Sequence, residues 1–416
     1  MSSTTPQTSA TTQTVKYIPK ADEPNAMIVT AGSNIDDILT ANPNITVFYF
    51  ADGYYYMSKC LQINRTCKFL GLTKLAKNVH IFQSSVLDGM SVWADNFVMR
   101  YISLHCEHDG KVALTVAGCH NTDVEYCYIY GNATTFSIYY AGPKVAAGYP
   151  TISAYFRNKL DYNNIFANNV VYSKWAGDAV SYSLQSYGYF GYNMVRGGKV
   201  AIYMCKNTKV MGNTIYDSST QAIYISLPSH RLQICANKIF ECDNSGIKIA
   251  DQVEHGSFYI KDQYNISIFN NIIYDSKTNA IELNNTIGYD IYNNNIISTD
   301  FNAIYLLKSP NGNIHHNKLS YSKIFVIVEQ SPNVDIHHNV CYSIYPTNSN
   351  HMVNVTVGST NAKVHDNMLF GKLISVLVKQ QADSIVNNNY QQLYYTYDDE
   401  VNAMKILGYI PPVVSN

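Results

Sequence analysis

The feature that most constrains this chain is a short motif that returns along most of its length: an apolar residue, two variable residues, then Asn. It reads Ile165-Phe-Ala-Asn168, Phe190-Gly-Tyr-Asn193, Val210-Met-Gly-Asn213, Ile234-Cys-Ala-Asn237, Ile268-Phe-Asn-Asn271 and Ile291-Tyr-Asn-Asn294. It continues as Ile314-His-His-Asn317, Ile336-His-His-Asn339, Val364-His-Asp-Asn367 and Ile385-Val-Asn-Asn388. Most of these Asn residues lie about 20 to 25 positions apart. That is the length of a structural repeat that cannot bury its own apolar face and must stack on its neighbours.

A second block follows each Asn by about nine residues, with the form small-apolar-x-apolar. Examples are Ala201-Ile-Tyr-Met204, Ala222-Ile-Tyr-Ile225, Gly246-Ile-Lys-Ile249, Ala280-Ile-Glu-Leu283 and Ala303-Ile-Tyr-Leu306. Alternation with period two marks strands with one buried face. Each repeat therefore reads strand, bend, strand, bend, strand. The expected fold is all-β: a right-handed parallel β-helix of about a dozen three-strand coils, with short helical caps at both ends. At about 4.8 Å per coil the rod would be roughly 60 Å long. At a tight bend the backbone loses its strand partners. An Asn side chain can satisfy those groups, tolerates a left-handed backbone and can bond the Asn of the next coil. The Asn series is therefore assigned a structural role.

The sequence divides into a tail or tether over 1–29, the solenoid with its N-terminal cap over 30–395, and a C-terminal cap and tail over 396–416. Ser33 to Leu39 reads as a short capped helix and Val47 to Gly53 as a strand running into a turn. Asp398 to Gly408 reads as a helix with an acidic first turn and a closing Gly. Caps of this kind cover the strand edges that a solenoid exposes at its ends.

Lys and Arg total 29 against 30 Asp and Glu, so the net charge of −1 gives no electrostatic case for nucleic acid or an anionic membrane. No apolar run is long enough to span a bilayer. Residues 1–14 are rich in Ser, Thr and Gln and lack both a basic start and an apolar core, so no signal peptide is read and synthesis in the cytosol is expected. The nine cysteines show no paired metal-ligand spacing and mostly lie in apolar strand-like runs. They are expected to be free, mostly buried thiols.

The alternating Gly-Ile-x-Leu and x-Ile-x-x-Asn-x-Ile blocks, with Phe50-Ala-Asp-Gly53 and Phe69-Leu-Gly71 at the entry, resemble the pectin-lyase-like β-helix superfamily, closest to the repeats of alginate epimerases and related sugar-processing proteins. The resemblance spans roughly residues 30 to 395. It implies a saccharide groove on the outer face of the strand that follows the Asn bend and its own third strand. Enzymes, adhesins and viral tailspikes share such repeats, so fold alone does not select among them. The composition, heavy in Asn, Ile, Tyr and Lys, resembles that of proteins from AT-rich viral or phage genomes.

By alternation, with Ile202, Ile223, Ile247, Ile281 and Ile304 inward, the outward stripe runs Thr115, Ser153, Ser181, Tyr203, Tyr224, Lys248, Glu282, Tyr305 and Ile327. Aromatic faces and polar groups on adjacent rungs suit a sugar. They also suit an ordinary outer strand. The candidate catalytic residues are Lys248, Glu282 and Tyr224. The candidate substrate-binding residues are Tyr203, Tyr305, Ser181, Asp251 and His255, the last two from a long bend over 250–264. A second departure from the period, 131–150, is expected to extend the bend leading into a strand at Thr151–Phe156.

A uronate lyase or epimerase needs a base at the sugar C5 and a group that neutralises the neighbouring carboxylate. The stripe carries no Arg and no Asp cluster for Ca²⁺. The Asp-Pro-His-Asp signature of alginate epimerases is absent. A glycosidase needs two carboxylates across the bond, and Glu282 with Asp251 is an isolated pair. His315-His316, His337-His338 and His365-Asp366 must stack. Neighbouring imidazoles could bind Zn²⁺ or Cu²⁺, but Asn270, Asn293 and Asn387 occupy the same position in other coils, so the His residues read as a polar stack beside the Asn series, with no metal or cofactor assigned. Two readings remain open. One is a polysaccharide-binding β-helix with lyase or epimerase chemistry, its partner a glycan. The other is a non-enzymatic structural or host-attachment component of a virus particle or fibre, with a homo-oligomer or a virion as partner.

Overall fold

The structure is a computed structural model that describes residues 25–106, 108–132, 135–142, 160–174, 177–226, 228–250, 263–343, 352–371, 376–378 and 384–393. It is a parallel β-solenoid of about 13 turns. Every strand pairing is parallel, as stacking of like segments from successive coils requires. The second strands of the coils form one 15-stranded sheet that begins with β1 (Ala26–Val29) and β2 (Val47–Phe50) and ends with Ile385–Asn387. First and third strands run beside it in two ladders. These merge where Asn295–Leu307 and Lys318–Glu329 each continue from third strand to first without a break.

Three apolar columns fill the interior. Val180, Val200, Ile223, Ile247, Ile281 and Ile304 come from the first strands, and Phe166, Phe190, Val210, Ile234, Ile268 and Ile291 from the second. Val171, Val195, Ile215, Ile239, Ile273 and Ile296 come from the third. All are essentially inaccessible to solvent, so each β-branched or aromatic side chain stacks on its counterpart one coil away.

The Asn ladder is continuous through Asn169, Asn193, Asn213, Asn237, Asn271, Asn294, Asn317, Asn339, Asn367 and Asn389. The amide of each donates to the Oδ1 of the next at about 3 Å, and Nδ2 donates to a backbone carbonyl of the previous coil. Two expectations are corrected here. The first and last Asn-Asn coils contribute Asn169 and Asn389, not Asn168 and Asn388, because Phe166 pairs with Phe190 and Val364 with Val386. The left-handed residue is also not the ladder Asn but the one before it: Asn168 (φ 57°), Tyr192, Gly212, Ala236, Asn270, Asn293, His316, His338, Asp366 and Asn388. A hydroxyl series lies on the bend between first and second strands, where the amides of Thr286, Ser309 and Ser331 donate to the Oγ of Ser309, Ser331 and Ser359.

At the N-terminal end α1 (Ile35–Ala41) is capped by Asn34, whose Oδ1 accepts from the amides of Asp36 and Asp37. β1 lies within the stretch expected to be a tail and pairs with β2, so the first rung begins earlier than the sequence suggested. The first-strand rung expected at Thr151–Phe156 is instead Phe136–Gly142, which pairs with Leu114–Ala117 on one side and Asp178–Ser183 on the other. Residues 151–156, the expected helix at 398–408 and most of the proposed tail lie outside the described residues. All nine cysteines are free thiols, eight of them buried. No described helix is long and apolar enough to cross a membrane.

Candidate functional site

Register along the outer face of the first strands runs Thr115, Tyr139, Ser181, Ala201, Tyr224, Lys248, Glu282, Tyr305 and Ile327. The expected stripe holds at Thr115, at Ser181 and from Tyr224 to Ile327, and slips at Tyr203. Ala201, not Tyr203, stands opposite Tyr224, and Tyr203 pairs with Ser183 and Ser226 in the next outward column. A slip of two residues leaves every side chain on its original face, so alternation cannot detect it. Ser153, Asp251 and His255 lie outside the described residues, and Tyr139 takes the rung assigned to Ser153.

Lys248 and Glu282 meet as an ion pair, Nζ to Oε1, at 2.8 Å. The carboxylate also accepts from Ser245 Oγ at 2.8 Å and Asn279 Nδ2 at 3.1 Å. Burial alone would raise its pKa. The Lys248 hydrogen bond and charge, with the Ser245 and Asn279 donors, more than offset that and hold the carboxyl below its usual range. Tyr305 Oη donates to Glu329 Oε2 at 2.8 Å. Burial, then the bond to Glu329 and the charges of Glu329 and Glu282, push that phenol up to about 12. Ser181 is buried, its Oγ 3.1 Å from that of Ser183, and Tyr224 is only 8% exposed, so neither offers an open surface.

A neighbouring cluster was not anticipated. Lys199 Nζ lies 3.1 Å from Asp178 Oδ1 and 5.4 Å from the centroid of the Tyr224 ring. Tyr203 Oη donates to Asp178 Oδ2 at 3.4 Å, and its ring meets that of Tyr224 edge to face at 6.2 Å. Burial first, then the Asp178 charge, raises the Tyr203 phenol well above its ordinary value. Burial also raises Asp178, against the pull of Lys199 and Tyr203. Lys199 shares the parity of Tyr203 and was legible as outward. Asp178 was not, because an irregularity between Asp178 and Val180 turns it out of the alternation.

The row thus presents two lysine–carboxylate pairs separated by two tyrosines, then a tyrosine–carboxylate pair. It offers a carboxylate held ionised, Glu282, and two phenols held protonated, Tyr203 and Tyr305, which can donate hydrogen bonds but not abstract protons. No described group of three or more His, Cys, Asp or Glu could hold a metal ion.

No family model and no curated protein matches this sequence. Solved structures do match, at the level of the fold. The catalytic domain of a GH87 α-1,3-glucanase in complex with tetrasaccharides aligns with TM-score 0.58 and 12% identity, over 90% of this chain and 71% of that one. The A-module of the Azotobacter vinelandii mannuronan C-5 epimerase AlgE6 aligns with TM-score 0.52 and 12% identity, over 86% and 93%. The pre-mature bacteriophage phi29 gene product 12 aligns with TM-score 0.59 and 11% identity, over 87% of this chain and 54% of that one. The chain is therefore a parallel β-helix of the architecture shared by saccharide-processing enzymes and a phage protein.

Proposed function

We propose that this protein binds a polysaccharide lengthwise along the outer face of its first strands. The observation that carries the reading is the unbroken row of pre-oriented polar and aromatic groups, half-buried except for the buried Asp178 and Tyr224: Asp178–Lys199, Tyr203 with Tyr224, Lys248–Glu282, and Tyr305–Glu329. A polymer running with the rod meets a new rung about every 4.8 Å. Fixed donors and acceptors of both signs suit a chain of hydroxyls, and phenol edges and rings suit its C–H surfaces. The glucanase and epimerase that share the fold carry saccharide-directed names, which supports this choice of ligand.

Turnover, in this proposal, is lyase or epimerase chemistry centred on Tyr224, Lys248 and Glu282, with Glu282 as base and the neighbouring phenols as donors. The other reading is a binding or attachment component without turnover, and one observation favours it. Glu282 already accepts from three side chains, which lowers its basicity. Incubation with a panel of neutral and acidic polysaccharides separates the two. Unsaturated uronate ends by mass spectrometry, or altered C5 stereochemistry by NMR, would establish turnover. Retention on immobilised polysaccharide with no product would establish binding alone. Absence of both would refute the proposal.

A further inference from the structure

The outer face of the second strands carries a different series. Phe269, Tyr292, His315, His337 and His365 stack ring on ring at 4.9, 5.2, 5.0 and 5.3 Å, all within 10° of parallel. Beside it, His316 stacks on His338 at 5.2 Å. Within a rung the two rings are nearly perpendicular, 88° for His315–His316 and 89° for His337–His338. Their Nδ1 atoms stand 2.9 Å apart in both rungs. The third rung repeats the arrangement with His365 Nδ1 at 2.7 Å from Asp366 Oδ2.

The far side of each column decides which nitrogen has a lone pair to offer. His315 Nε2 is 2.9 Å from Asp290 Oδ1, and His365 Nε2 is 2.9 Å from Asp335 Oδ1. A carboxylate accepts only, so in the neutral ring the proton sits on Nε2 and Nδ1 carries the lone pair. This is the outer-shell arrangement that orients a ligating imidazole. In the resting state the His315 Nδ1 lone pair faces His316 Nδ1, which must supply a hydrogen. An ion can replace that hydrogen, the proton of His316 moving to its Nε2 or to water.

We propose that the His315–His316 pair, repeated at His337–His338, is a surface site for Cu²⁺ or Ni²⁺. The argument is that this spacing, which without an ion is that of an N–H···N hydrogen bond, joins perpendicular rings with exposed edges and is also the spacing of two nitrogens on one ion. Imidazole nitrogens bind first-row divalent ions at about 2.0–2.1 Å, so two of them at right angles around one ion stand about 2.9 Å apart. That angle belongs to tetragonal geometry, the preference of Cu²⁺ and Ni²⁺ with nitrogen and oxygen ligands. The ion lies off the line joining the nitrogens, which needs only a turn of each ring about its soft terminal torsion. His316 and His338 are exposed, and water completes the coordination sphere. A dication on one rung repels a second about 5 Å away, so ions should load below one per rung.

The test uses the full chain, untagged and stripped with chelator, titrated with CuSO₄ by calorimetry and followed by electron paramagnetic resonance. An axial Cu²⁺ signal with nitrogen superhyperfine structure is expected. The double variant His316→Ala/His338→Ala, in which only exposed rings are cut, should lose that uptake with its far-UV circular dichroism unchanged. In the His338→Ala background, which removes the second rung, Asp290→Asn should weaken binding 10- to 100-fold while keeping the nitrogen signal. Equal uptake and an identical spectrum in the double variant would overturn the site. An unchanged affinity on adding Asp290→Asn to that background would overturn the choice of His315 Nδ1 as ligand. This face is not the one proposed for glycan, so neither result bears on polysaccharide binding.

Discussion

Two outer faces of the same rod solve the same stacking problem in opposite ways. On the second strands like stands on like: Phe269, Tyr292, His315, His337 and His365 turn their ring faces to one another and leave their edges to solvent. On the first strands unlike stands on unlike: Tyr224, Lys248, Glu282 and Tyr305 succeed one another, so contacts between rungs are ion pairs and single hydrogen bonds. A stack of like rings has spent its faces on itself, and what it still offers is edge atoms, here imidazole nitrogens. A row of unlike groups keeps directional polar atoms spaced along the rod. The repeat supplies the frame for both, and sequence variation within it decides whether a face serves cohesion or recognition.

The sharpest way to break this comparison is to damage cohesion and ask whether recognition suffers. Asn294 accepts from the Asn271 backbone amide and side chain, and donates to the Ile268 carbonyl and Asn317 Oδ1. Asn294→Ala takes the partner from two buried groups, the Asn271 amide and the Ile268 carbonyl, at about 1–3 kcal/mol each, and leaves Asn271 Nδ2 and Asn317 Oδ1 with one bond where each had two. We expect a loss of roughly 3–6 kcal/mol, read as a lower urea midpoint, with polysaccharide retention unchanged while the protein remains folded. A wild-type midpoint would show that water can stand in for the ladder.

A smaller effect is expected where regularity fails. Asp161 pairs with Gln185 in the stacked bend, is fully buried, and neither carboxyl oxygen meets a donor in good geometry among the described residues. Burial pushes its pKa up to about 7, and the amides of Cys119 and Gly118 offset only part of that. The folded pKa exceeds the unfolded one, so the folded state holds a proton that the unfolded chain releases above pH ~4. Stability should therefore be greatest at low pH and fall as pH rises to about 7, by about 4 kcal/mol over three pH units. Asp161→Asn should be more stable than wild type at pH 8, and the two should converge near pH 4. Parallel melting curves across the range would sink the assignment.

The Lys248–Glu282 pair joins both sides of the comparison. Lys248→Ala leaves Glu282, whose side chain is 13% exposed, with Ser245 and Asn279 alone. Because the pair is only partly buried, a cost of about 1–2 kcal/mol is expected, below that for a fully buried pair. Adding Glu282→Gln should recover most of it. Glu282 has a depressed folded pKa, so its contribution is present above its unfolded pKa and disappears as pH falls through the folded one. In Lys248→Ala this acid-side loss should shrink. A double-mutant cycle with no coupling would leave the pair without energetic content.

Much of this was legible from sequence because the constraints were one-dimensional. An apolar residue every coil, an Asn at one bend and alternation in the strands specify a stacked parallel solenoid almost without tertiary information. What the pattern could not fix was phase. In Ile165-Phe-Ala-Asn-Asn169 two Asn residues compete for the ladder. Only the stacking of Phe166 on Phe190 decides for Asn169. Tyr203 looked like the rung mate of Tyr224 because a two-residue slip preserves facing. Asp178 escaped notice because a local irregularity moved it to the face that alternation denied it. Each miss is a register question, and register is settled by contacts between coils.

The finest test compares two tyrosines. Tyr224 sits among Lys199, Tyr203 and the Lys248 rung, whereas Tyr292 lies between Phe269 and His315 in the self-stacked column. If faces of unlike residues recognise glycan and faces of like residues hold the rod together, Tyr224→Ala should weaken polysaccharide binding about tenfold, or about 1.4 kcal/mol, and, because the ring is only 8% exposed, lower the melting temperature as well. Tyr292→Ala should lower the melting temperature and leave affinity alone. Both would be read by calorimetric titration of an oligosaccharide from whichever polymer the panel selects. Equal effects of the two substitutions on affinity would mean that the ligand does not distinguish the faces, and that the contrast between them concerns packing alone.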